Sequence, residues 1–128
     1  MTEWAMALKI VYAEDDELVR NTIAEMLRST GATVITCTTG GEAVRLCEAL
    51  RPDALLLDLG MPRVDGYEAA RRIRESPNIS ATRVVAISGR NAAESRDEAL
   101  LAGFDAFIAK PVTTSALLEA LKPRDAGN

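Results

Sequence analysis

Short apolar runs rich in β-branched residues recur at residues 8–13, 33–37, 54–57, 83–87 and 106–109, and each is followed by a stretch in which apolar residues return at helical spacing. Five rounds of strand then helix are predicted. After the first run, Val19, Ile23 and Leu27 form a stripe with Leu18 and Met26 alongside, and Gly31 is expected to stop that helix. Thr39 and Glu42 frame a capping box, Ala43, Leu46, Cys47 and Leu50 then carry the buried side, and Pro52 forbids continuation. The run MPRVDG at 61–66 is a loop signal before a helix containing Ala69, Ala70 and Ile73, which Ser76, Pro77 and Asn78 break. Asn91 with Glu94 resembles another cap, but the helix behind it has mainly Ala92, Ala93, Ala99 and Leu100 to bury, so it should be the loosest. Thr113 or Thr114 opens the last helix, Leu117, Leu118 and Leu121 supply its core side, and Pro123 ends it.

Alternating strands and helices imply parallel strands joined by right-handed crossovers, and the third and fourth runs are apolar throughout, as strands covered on both faces must be. The expected fold is a doubly wound α/β sandwich of the flavodoxin-like type, a five-stranded parallel (βα)5 sheet in the order 2-1-3-4-5. One domain is expected over 1–128, with its core at about 8–121 and loose ends at 1–7 and 124–128. Trp4, outside the core pattern, is read as packing locally.

An apolar fraction of 48% and a charged fraction of 27% place the chain among ordinary globular domains. A net charge of −4 without a basic stripe argues against nucleic acid or an anionic membrane as partner. Arg71, Arg72 and Arg74 read as a solvated helix face. Cys37 and Cys47 form no metal or redox motif and read as small buried residues. The start of the chain lacks the pattern of a secretory signal and no stretch approaches a membrane span, so a cytoplasmic location is expected. With no histidine, Ser-His-Asp and Cys-His catalysis are excluded, as is donation of a phosphoryl group from histidine.

In such sheets the ligand crevice lies at the carboxyl ends of the strands, where the strand order reverses. Glu14, Asp15 and Asp16 follow the first strand and Asp58 ends the third, so four carboxylates are expected at one crevice. Like charges this close raise one another's pKa, and such a cluster usually serves a cation; an all-oxygen set suits Mg²⁺, with Mn²⁺ as a substitute. Ser88 ends the fourth strand and Lys110 the fifth, the latter before Pro111 at an X-Pro bond of the kind that can be cis. Gly40 and Gly41 complete neither a P-loop nor a dinucleotide fingerprint.

The segments IVYAEDDE, LLLDLGMPRVDGYE, VVAISGR and FIAKP, in this order, resemble the receiver domain of two-component response regulators over nearly the whole chain. Asp15, Asp58, Ser88 and Lys110 stand at that family's spacing. The resemblance implies that Asp58 takes a phosphoryl group from a phosphohistidine of a histidine kinase or histidine phosphotransfer protein. Asp15 and Asp58 would hold Mg²⁺ directly, Glu14 largely through water, and the Gly60 backbone carbonyl would complete the set. Lys110 would share in neutralising the phosphoryl oxygens, Ser88 would swing to one of them, and Phe107 would move inward as the switch aromatic. Asp16 matches no ligand and is read as a helix cap. The affected surface would be the fourth helix, fifth strand and fifth helix of the repeat, where an output protein binds.

Beyond phosphorylation and dephosphorylation of its own Asp58, no enzyme activity is expected. The resemblance also implies a monomer or a phosphorylation-dependent dimer. Gly60 and Arg90 occupy the positions through which the family governs water access to the acyl phosphate, and Phe107 lacks the hydroxyl of the more common tyrosine. The few residues after Leu121 leave no room for an output domain within this sequence, so a stand-alone receiver, or else a receiver cut from a larger chain, is expected. The alternative is a phosphorylation-independent scaffold with the same fold, against which the Asp15, Asp58 and Lys110 set argues. A haloacid-dehalogenase-type phosphatase needs a second aspartate where this chain has Gly60.

Overall fold

The structure, a computed structural model, describes residues 3–61, 66–89 and 92–122, the side chains of 92–95 aside. Several expectations fall outside that set: residues 1–2, the loop residues 62–65, Arg90, the cap at Asn91 and Glu94, the Ala92 and Ala93 side chains, Pro123 and 124–128. Among the described residues the order is α1 (Glu3–Met6), β1 (Lys9–Ala13), α2 (Glu17–Arg28), β2 (Thr33–Cys37), α3 (Gly40–Leu50) and β3 (Ala54–Asp58). It continues with α4 (Gly66–Glu75), β4 (Arg83–Ser88), α5 (Ala92–Leu101), β5 (Ala106–Ala109) and α6 (Thr114–Leu121). The strands form one parallel sheet in the order β2-β1-β3-β4-β5, the flavodoxin-like arrangement expected.

Side chains alternate strictly across the inner strands and build two cores. Val11, Ala13, Leu55, Leu57, Val84 and Ala86 face Ala43 and Cys47 of α3, Ala69, Ala70 and Ile73 of α4, and Ala99 of α5. Ile10, Tyr12, Leu56, Val85, Ile87 and Ile108 face Ile23, Ala24 and Leu27 of α2, and Leu117, Ala120 and Leu121 of α6. Burial on both faces explains why β3 is apolar from Ala54 to Leu57 and admits a charge only at Asp58, where the strand meets the edge.

The termini of the helices follow their capping chemistry. Asp16 accepts the Val19 amide at 2.9 Å, as expected of a cap. Thr39 Oγ1 accepts the Glu42 amide, but Glu42 reaches back to Thr38, whose amide and hydroxyl both donate to Oε1, so the box is one residue wider than read from sequence. Arg51 takes the left-handed conformation ahead of Pro52 to close α3, and Thr113, rather than Thr114, caps α6. Cys37 and Cys47 are buried free thiols.

Several expectations need correction. Residues 3–6 are not a loose end but one helical turn, held because Ala5 is buried, Trp4 packs on the α2–α6 core, and the Met6 side chain lies over Gly31. Leu18 and Leu100 are 76% and 53% exposed, because their helices turn those positions away from the sheet, and Leu50 is also exposed at the end of α3. Arg74 is not a solvated charge: its guanidinium donates to the carbonyls of Gly103, Ser80 and Thr82 and to the Asp105 carboxylate. Among the described residues, no helix is long and apolar enough to cross a membrane.

Candidate functional site

The parallel register pairs Tyr12 with Leu56 and Ala13 with Leu57, so the next residues out, Glu14 and Asp58, emerge side by side at the carboxyl edge. The Glu14 amide still donates to the Cys37 carbonyl and the Leu59 amide to the Ile87 carbonyl, which carries the ladder rigidly to this edge. Both carboxylates are buried, Glu14 at 2% and Asp58 at 3% exposure. Lys110, just past β5 and tied by its amide to the Ser88 carbonyl, donates its ammonium to Asp58 Oδ2 at 2.7 Å. The Gly60 amide donates to Asp58 Oδ1 at 2.7 Å.

These contacts divide the two carboxylates. Burial works to raise the Asp58 pKa, but hydrogen bonds from Glu14, Lys110 and the Gly60 amide overcome it and hold Asp58 below its ordinary value. Burial pushes Glu14 well above the ordinary carboxylate range, and its hydrogen bonds with Asp58 and Asp15 add to this against the lowering effect of the Asp16 amide. The two shifts run in opposite directions, and Asp58 is the carboxylate that the Lys110 ammonium favours as an anion. Burial works to lower the Lys110 pKa, but its bond to Asp58 prevails and holds it above the usual lysine value.

Of the residues singled out in the sequence, Glu14, Asp15, Asp58, Gly60, Ser88 and Lys110 all come to this edge. Asp15 is exposed, Asp16 is occupied as the α2 cap, and Ser88 is buried at the end of β4. At Gly60 the observed contact is made by the amide rather than by the carbonyl expected to bind metal, and a Cβ there would stand 3.2 Å from Asp58 Oδ1. The Lys110–Pro111 peptide bond is cis. Phe107 is half-buried against the α3–α5 side, with the Arg96 guanidinium 5.5 Å from its ring centre. Arg20 was missed in the sequence: it donates to the Glu14 and Asp15 carbonyls and so fixes the acidic turn. Its position one turn into α2, behind the acidic run, was the available signal.

Glu14 Oε1 is buried without a hydrogen-bond partner among the described residues. Among the described residues no three acidic, cysteine or histidine side chains form a ready cage by themselves. Mg²⁺ is commonly held by one or two carboxylates and completes its octahedron with water, and the donors at this edge, Glu14, Asp15 and Asp58, are of the oxygen-only type that it takes.

A model of the response regulator receiver domain matches residues 10–122. Protein PilG of Pseudomonas aeruginosa is 27% identical over 122 residues, covering 95% of this chain and 90% of PilG. The transcriptional regulatory protein PdtaR of Mycobacterium tuberculosis is 36% identical over 120 residues, covering 92% of this chain but 57% of PdtaR. The chain likewise spans about half the length of the response regulator MprA of Mycobacterium ulcerans, 50% of it. Among solved structures, the receiver domain of a Pseudomonas aeruginosa sensor histidine kinase superposes with a TM-score of 0.82 at 34% identity, over 90% of this chain and 94% of that one; it holds a magnesium ion in its active-site cleft. Chemotaxis protein CheY4 of Vibrio cholerae, 23% identical with a TM-score of 0.82 over 90% of this chain and 96% of its own, shares the fold.

Proposed function

Because the chain belongs to the response regulator receiver domain family, we propose that Asp58 accepts a phosphoryl group from a phosphohistidine and that the acyl phosphate switches a partner-binding surface. The observation that carries this reading is the ionised, buried Asp58 carboxylate, with one oxygen on Lys110 and the other on the Gly60 amide, beside the unpartnered Glu14 oxygen. An Asp58 oxygen forms the new bond to phosphorus as the phosphorus–imidazole bond breaks, and the bonding pair leaves with the imidazole of the donor. Asp58 is already ionised, so no general base is required. Lys110 and the Ser88 hydroxyl would meet the phosphoryl oxygens as charge spreads over them, the electrostatic route usual for phosphoryl transfer. Glu14, Asp15 and Asp58 would hold Mg²⁺, with the Gly60 carbonyl completing the protein ligands. When bound, Mg²⁺ supplies the positive charge that three carboxylates and one lysine leave wanting.

The donor is a histidine kinase or histidine phosphotransfer protein, as the family membership supports. The output surface comprises α5, β5 and α6, with Phe107 moving inward as Ser88 turns toward the phosphoryl group. The exposed Leu100 and Leu101 of α5 support a partner-facing role for that helix. A cytoplasmic receiver that works as a monomer or as a phosphorylation-dependent dimer is the accompanying reading.

The test is intact mass after incubation with acetyl phosphate, with and without Mg²⁺, on the native chain and on Asp58→Asn. A Mg²⁺-dependent gain of one phosphoryl group that vanishes in the variant is expected. No adduct together with no Mg²⁺ binding would overturn the proposal and leave a phosphorylation-independent scaffold.

A further inference from the structure

Among the described residues, two buried side-chain oxygens lack a hydrogen-bond partner, Tyr12 Oη and Glu14 Oε1. Tyr12 lies on β1 and Glu14 directly follows the end of that strand. Tyr12 faces the α2–α6 core while Val11 and Ala13 on either side of it face the other core, and the Glu14 amide continues the ladder onto Cys37, so Glu14 follows Tyr12 on the same face of the sheet. Burial foremost pushes the Tyr12 phenol up, with the Glu14, Asp58 and Asp16 carboxylates adding to it and Arg20 opposing. The Tyr12 hydroxyl is thus buried on the same face of the sheet as Glu14, and neither of the two oxygens has a partner. A core position on β1 surrounded by Ile10, Ile23 and Leu56 gains nothing from a hydroxyl that bonds to nothing, because a buried orphan donor loses its hydration uncompensated.

We propose that Tyr12 is a positioning residue for Glu14, its hydroxyl linked through one internal water to Glu14 Oε1 so that this carboxylate is held toward the metal-binding cleft. A single water that accepts a hydrogen bond from the phenol hydroxyl and donates one to Glu14 Oε1 satisfies both orphan atoms at once. This rests on the reading of Glu14 as a metal-binding group. It assigns to a residue within the hydrophobic core the part that an outer-shell hydrogen bond plays at other metal sites, where it orients the ligand and sets affinity.

The test compares the native chain with Tyr12→Phe, Glu14→Gln and the double variant, by Mg²⁺ titration calorimetry and by urea unfolding of the metal-free proteins. Tyr12→Phe keeps the ring and its packing. We expect it to weaken Mg²⁺ binding about ten-fold and to lower the metal-free unfolding midpoint, with the two substitutions non-additive in the metal-free cycle. An Mg²⁺ affinity within two-fold of the native value, or additive midpoints, overturns the proposal. Removal of a truly unpartnered hydroxyl leaves the midpoint unchanged or raises it, the opposite sign. Should the native chain itself fail to bind Mg²⁺, the proposed function falls, and the metal-free cycle alone decides the Tyr12–Glu14 link.

Discussion

The two ends of the sheet carry similar numbers of charged groups and treat them in opposite ways. At the amino end, Arg74 spends its guanidinium on the Gly103, Ser80 and Thr82 carbonyls and on Asp105, whose Oδ2 also accepts the Val84 amide. Arg83 donates to the Ala120 carbonyl, and Asp53 accepts the Lys9 amide. These contacts tie α4 to the turns that lead into β4 and β5, α6 to β4, and turn residues to β1 and β4. At the carboxyl end, Glu14, Asp15 and Asp58 stand against Lys110, and one buried Glu14 oxygen bonds to nothing. A satisfied cluster fixes geometry; an unsatisfied one stores a deficit of positive charge that a ligand can fill.

The comparison predicts that stability and function separate by edge. Arg74→Met retains the stem but strips three carbonyls and Asp105 of their donor, and should cost about 3 kcal/mol, near the low end for breaking a buried pair because the Arg74 side chain remains 26% exposed. Urea unfolding reads this directly, and Mg²⁺ binding should persist in the folded fraction. An unchanged midpoint would break the comparison, since the amino end would then be no better fastened than the other.

At the opposite edge, Glu14→Gln keeps a donor for Asp58 and removes an ionisable group from a crowded acidic site. The metal-free midpoint should stay within about 1 kcal/mol of the native value, while Mg²⁺ affinity falls by more than it does in Arg74→Met. A Glu14→Gln chain that unfolds as readily as Arg74→Met would show that the acidic edge is a structural fastening too.

The difference between the edges was only half legible in the sequence. The carboxyl edge announced itself because Glu14, Asp58, Ser88 and Lys110 each end an apolar strand, and a charge at the end of a doubly covered strand has few structural reasons to be there. Strand order and both cores followed from the same alternation. The amino edge stayed hidden because the partners of Arg74 at Gly103 and Asp105 lie far along the chain and three of its four acceptors are backbone carbonyls, which have no residue-type signature. Tyr12 was hidden for a related reason: one hydroxyl within an apolar run reads as core, and only its burial without a partner separates it from phenylalanine. The turn at Glu3–Met6 escaped because its packing depends on Met6 meeting Gly31, a contact set by the path of the chain rather than by periodicity.

The smallest expected effect sharpens the comparison within a single helix. Arg71 lies one turn from Arg74 in α4 and forms ion pairs with Glu68 and Glu75, more pairs than Arg74 makes, yet its side chain is 57% exposed. Exposed pairs gain little because water screens both charges and holding two long side chains together costs entropy. The Glu68 and Glu75 charges hold the Arg71 guanidinium above its usual pKa without giving it a buried acceptor that depends on it. Arg71→Ala should therefore leave the urea midpoint unresolved from native at moderate salt, with the helix itself unharmed because alanine is the better helix former. A loss comparable to that of Arg74→Met would mean that the number of ion pairs, rather than the burial of their acceptors, sets the strength of the amino end.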